Sequence, residues 1–261
     1  VRRGLILAVT TLAVACGPPR PWSPLAEAVG RNDIAAMRVL LETTPLGAGE
    51  PHELMMWAAR NGAVDAIALL ASRGVDVNER DAGRNHWTPL QHAVHTQQPG
   101  AVRVLLEWGA DPDTTEPGTI TPLFMAADST DPTMLQLLLD AGADVHFTGP
   151  GGRTALTQAI SGGALWDVTD RPLLGGCRTA TVRALVAADP SLRVRQKTKA
   201  WNAAVWWARI HDCTEVLSLV GAWPTRTAAD KIVTTGGMIK DVLSGPSGSR
   251  AESRRSGGAP H

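Results

Sequence analysis

This 261-residue chain has no tyrosine, only two phenylalanines and three cysteines, and few lysines beside many arginines. Its charges cancel, with 25 basic and 25 acidic side chains. A balanced chain has no global field to draw it to nucleic acid or acidic lipid. No apolar run reaches the ~20 residues that a helix needs to cross a bilayer. No glycine-rich segment is followed by Lys-Ser or Lys-Thr, so the phosphate-cradling loop of nucleotide-binding enzymes is missing. No nucleophile motif or ordered acid–base pair appears either, which argues against an enzyme. The aromatic quota is met by nine tryptophans; we read that bias as the base composition of the gene.

Hydrophobic residues make up 44% and charged residues 19% of the chain, which suits a folded body. Residues 1–16 read as an export signal: Arg2-Arg3, an apolar run from Leu5 to Ala15, then Cys16. Val1 is what a literally translated alternative start codon gives, so a bacterial origin is expected. Ala13-Val14-Ala15 fits an ordinary signal peptidase site. Ala15-Cys16 also resembles the end of a bacterial lipobox, with Leu12 one position early and Ala13 where Leu is usual. Two readings stand: lipidation at Cys16 or a plain cleaved signal. Residues 17–24 form a proline-rich tether. The expected location is therefore periplasmic, or anchored at the outer membrane as a lipoprotein, with the cytoplasm as the alternative. Export leaves Cys177 and Cys213, which a disulfide joins or which stay separate buried thiols.

The decisive pattern is a period of 33. Thr88-Pro89-Leu90 returns as Thr121-Pro122-Leu123 and as Thr154-Ala155-Leu156. Gly109-Ala110-Asp111 returns as Gly142-Ala143-Asp144, and Leu105-Leu106 as Leu138-Leu139. Threonine caps a helix, proline suits its first turn, and glycine ends the second helix. Leu90, Ala93 and Val94 share one helical face, and Val102, Leu105 and Leu106 line the next. With this spacing and wording the chain resembles the ankyrin repeat family over roughly residues 23–223.

That resemblance implies an all-α, helical-hairpin solenoid of about six repeats with short loop or β-turn fingers. The units fall near 23–42, 51–78, 85–113 and 118–147, then from 152 onward, and at 199–223. The repeat domain is set at 25–223. The fifth unit carries an insertion near Ala164–Cys177 before a second helix over Thr179–Ala188. The sixth departs most, and its Trp201, Trp206 and Trp207 are expected to close the core. Residues 224–261 are read as a short helix, over about 224–244, and a disordered tail.

In the family, partners bind the concave face, made of finger tips and the exposed side of each first helix. The resemblance implies that Arg80, Trp87, His92, His95, Met125, Asp128, Arg153 and Gln158 lie there, with Thr96, Ile120 and Ser129 beside them. Trp87 beside two histidines is a candidate anchor; the plainer reading has it only packing on its neighbours. His92 and His95, with His86 before them, lack the further ligands that a metal needs, so no metal or cofactor is expected. The Gly149–Gly152 run reads as a turn. The expectation is a monomeric protein-binding scaffold with no nucleic-acid role. The alternative is a small-molecule-binding or hydrolytic protein that uses the fifth-repeat insertion, with Trp166, Asp167, Asp170, Arg171 and Cys177.

Overall fold

A computed structural model of the chain describes residues 23–43, 50–82, 86–115, 120–161, 177–193 and 198–222. The export segment, most of the tether, the core of the insertion and residues 223–261 lie outside the described residues.

Twelve α-helices appear among the described residues, in six consecutive contacting pairs. They are α1 (Pro24–Gly30) with α2 (Ile34–Thr43), α3 (Glu50–Asn61) with α4 (Val64–Ser72), and α5 (Pro89–His95) with α6 (Pro99–Glu107). Next come α7 (Pro122–Ala126) with α8 (Thr133–Asp140), α9 (Ala155–Ser161) with α10 (Thr179–Ala188), and α11 (Lys199–Ile210) with α12 (Thr214–Leu219). No strand is present among the described residues, where one isolated bridge joins Gly149 to Arg153.

The first helices stack in one layer, α1 on α3 and so on to α11, and the second helices stack in another, from α2 to α12. Small side chains let the first layer close up: Ala58, Ala59, Ala93, Ala126, Ala159 and Ala204 are all buried. Leucines and valines such as Leu90, Leu105, Leu123, Leu138, Leu156, Val182 and Leu185 fill the space between the layers. The approach is tight at Gly30, where a Cβ would lie 2.7 Å from Trp57 Nε1 and the indole would have to shift.

Local chemistry sets the helix limits. The Thr88 hydroxyl accepts from the Gln91 N–H, and Gln91 Oε1 accepts from the Thr88 N–H in return, a capping box worth about 1 kcal/mol. Thr121, Thr198 and Ser23 cap α7, α11 and α1 in the simpler way. At the end of α6, Gly109 N–H donates to the Leu106 carbonyl and Ala110 N–H to the Leu105 carbonyl. That turn needs the left-handed backbone that Gly109 adopts at φ 85°. α10 ends otherwise: Asp189 is extended before Pro190, as a residue preceding proline prefers.

Polar side chains tie each repeat to the next. Asn32 Oδ1 accepts from the Ala66 N–H at 2.9 Å, and Asn78 Oδ1 from the Asp111 N–H at 2.8 Å. Asp113 Oδ1 accepts from the Asp144 N–H at 2.8 Å. Cys177 and Cys213 form a disulfide that joins the approach to α10 with the start of α12. In the sixth repeat Trp201 is buried, while Trp206 and Trp207 are half-buried and Trp207 lies 4.1 Å from the His211 ring.

Candidate functional site

The loop from α4 to α5 passes from the second repeat to the third as a finger, and four side chains organise its two described arms. Asp81 N–H donates across the finger to the Trp87 carbonyl at 2.9 Å. Arg80 Nη1 donates to the His86 carbonyl at 3.0 Å. From α3, His52 Nε2 lies 2.9 Å from the Arg80 carbonyl, so this nitrogen carries the hydrogen. From α5, His92 Nε2 meets Asp81 Oδ2 at 2.6 Å.

Trp87 sits on this frame, half-buried. Its ring stands edge-on to His92, with centroids 5.4 Å apart, and tilted against His95 at 4.9 Å. His95 is exposed, whereas His92 retains 9% exposure. Burial pulls the His92 imidazole below its ordinary pKa of 6.5, against the opposing pull of Asp81. Because Nε2 faces a carboxylate, that nitrogen carries the hydrogen and donates to Asp81.

The other candidates occupy different settings. Met125, on α7, is half-buried against the core. Arg153 is half-buried just before α9, and burial lowers its guanidinium pKa. Its backbone carbonyl accepts from Gly149 N–H, closing the Gly149–Gly152 turn. Asp128 is gripped from the fifth repeat: Arg178 Nε donates to its carbonyl at 2.6 Å and Arg178 Nη2 to its carboxylate at 3.2 Å. Thr181 donates to the neighbouring Ser129 carbonyl at 2.7 Å. Gln158 is 2% exposed and offers a partner no surface, and Ile120 and Ser129 are likewise buried. Sequence reading noted Asp81 only as part of the family's loop pattern, and gave neither it nor Arg178 as a site residue. Their partners lie 11 and 50 residues away, beyond any local pattern.

This two-layer stack with fingers matches known proteins. The family model for ankyrin repeats in three copies matches residues 25–116, and a single ankyrin repeat model matches residues 119–147. The chain is an ankyrin-repeat protein. A solved ankyrin repeat domain from Acinetobacter baumannii AYE is similar in structure, with a TM-score of 0.60 and 25% identity, covering 76% of this chain and 95% of that one. A sequence search of curated proteins finds no match. The family models stop at residue 147, yet the same hairpin recurs twice more, as α9–α10 and α11–α12. Ankyrin repeats generally mediate protein–protein interactions, and ankyrin-repeat proteins are in general scaffolds rather than enzymes.

Proposed function

We propose that this ankyrin-repeat protein is a scaffold of the bacterial cell envelope that binds one partner protein through its fingers and first-helix layer. The observation that carries the reading is Trp87. A half-buried indole, braced by His92 and His95 and held at its backbone by Asp81, is a rigid apolar anchor of the kind that dominates interface energetics. Arg80, His86 and His95 surround it with polar and charged groups. Arg153 and Met125 extend the face along the next repeats. A preformed surface loses little conformational freedom on binding, which favours affinity.

The envelope assignment rests on the export signal with Cys16 and is supported by the Cys177–Cys213 disulfide, since such bonds persist in oxidising compartments. Crosslinked capture from native envelopes tests both parts. Wild-type bait is expected to retain one envelope protein that Trp87→Ala bait loses. Identical captures by the two baits refute the anchor, and recovery of the chain with its first 16 residues intact in the cytosol refutes export.

A further inference from the structure

Four of the six hairpins turn in the same way. The N–H of the residue before the second helix donates back to a carbonyl near the end of the first: Asp33 to Ala28, Ala63 to Ala58, Gln98 to Ala93 and Cys213 to Ala208, all at 2.8–2.9 Å. Each bond fixes where its second helix begins. In the fifth repeat, residues 162–178 separate α9 from α10, a connection too long to be such a turn. A long connection does little to hold a helix end in place. The covalent hold comes instead from Cys177, two residues before α10, which is bonded to Cys213, the residue that closes the sixth repeat's turn.

The start of α10 in turn holds part of the candidate face. Arg178, its N-cap, donates from Nε to the Asp128 carbonyl at 2.6 Å and from Nη2 to the Asp128 carboxylate at 3.2 Å. Thr181, in the first turn of α10, donates to the Ser129 carbonyl at 2.7 Å. The two sulfurs of the bridge differ in access: Cys177 is exposed, whereas Cys213 is buried. An exposed disulfide sulfur is open to attack by a thiolate, and such bridges are the labile ones.

We propose that the Cys177–Cys213 bridge takes the place of the fifth repeat's short turn as a redox-sensitive clasp: a dithiol that opens it at Cys177 loosens the start of α10 and, through Arg178, the Asp128 part of the binding face. This inference deepens the partner-binding reading and rests on it for its biological use. A thiolate of the dithiol attacks the Cys177 sulfur. The Sγ–Sγ bond breaks, and its electron pair leaves on Cys213, which takes up a proton. The second thiol of the dithiol then loses its proton and attacks the mixed disulfide. The dithiol is oxidised to a disulfide, and Cys177 departs as a thiolate that takes up a proton. Val182, Leu185 and Val186 remain buried, so the helix is loosened at its start rather than detached.

Hydrogen exchange of the full chain, read by mass spectrometry before and after dithiothreitol, tests this without any partner. On reduction, the turn at 127–132 and the first half of α10, Thr179–Ala184, should exchange at least about tenfold faster, while α3–α6 keep their rates. Reoxidation should restore both segments, and a Cys177→Ser, Cys213→Ser variant should behave as the reduced chain does. Arg178→Gln, kept oxidised, should speed the turn, and reduction should then add little to it. Brief treatment with glutathione should place the mixed disulfide on Cys177. Reduction that leaves either segment at its oxidised rate, equal loosening of α3–α6, or glutathione found mainly on Cys213 overturns the proposal. Identical captures by wild-type and Trp87→Ala baits would refute the partner reading and leave the clasp standing.

Discussion

The side-chain amide of Gln91 donates to the backbone carbonyl of Ile120 at 2.9 Å, 29 residues along the chain and one repeat further into the stack. Gln91 is fully buried, and its Oε1 also accepts from the Thr88 N–H. One side chain therefore both caps α5 and holds the third repeat to the fourth. Gln91→Leu keeps the volume but strands a buried carbonyl and a buried N–H. We expect a loss of roughly 2–4 kcal/mol in urea unfolding. A loss under about 0.5 kcal/mol would show that water or rearrangement replaces both bonds.

Gly109 isolates the contribution of backbone conformation. Its φ is 85°, and a Cβ there would meet nothing within 4 Å. Gly109→Ala should therefore cost about 1–2 kcal/mol from the left-handed backbone alone. Gly109→Asn should cost less, because asparagine tolerates that region better. Equal losses for the two variants in thermal unfolding would point to a cause other than the turn.

The Cys177–Cys213 bridge spans 36 residues of sequence, across the fifth repeat's second helix and most of the sixth. Closing a loop of that size in the unfolded chain contributes on the order of 3–4 kcal/mol. Reduction, or a Cys177→Ser, Cys213→Ser double variant, should lower the urea midpoint. Proteolysis should then open the α10–α12 region before α3–α6, because repeats are coupled mainly to their neighbours. An unchanged midpoint after complete reduction, verified by mass spectrometry, would contradict this.

The architecture was legible because a solenoid writes its contacts locally. Thr-Pro-Leu opens α5 and α7, glycine closes α6 and α8, and α10 runs over Thr179–Ala188 as its apolar spacing suggests. Each of these signals lies within one repeat. The site was only partly legible. Trp87, His92 and His95 fall together because they lie on one finger and one short helix. The orientation of the other candidates depends on side chains from elsewhere in the stack. Position on a first helix placed Gln158 on the outer face, but its side chain is buried. Asp128 meets Arg178, which lies beyond the insertion and outside the 33-residue register. His92 turns inward because Asp81 receives it there, and no periodicity encodes that pair.

The central claim is that the fingers and first-helix layer carry the partner. The most direct test places a photo-crosslinking residue at His95, exposed on α5, and in a second chain at Arg103, exposed on α6 of the second-helix layer. Both are irradiated in native cells. The account predicts a discrete adduct with one protein from position 95 and none from position 103. Adducts from position 103 alone, or the same adducts from both positions, would contradict it.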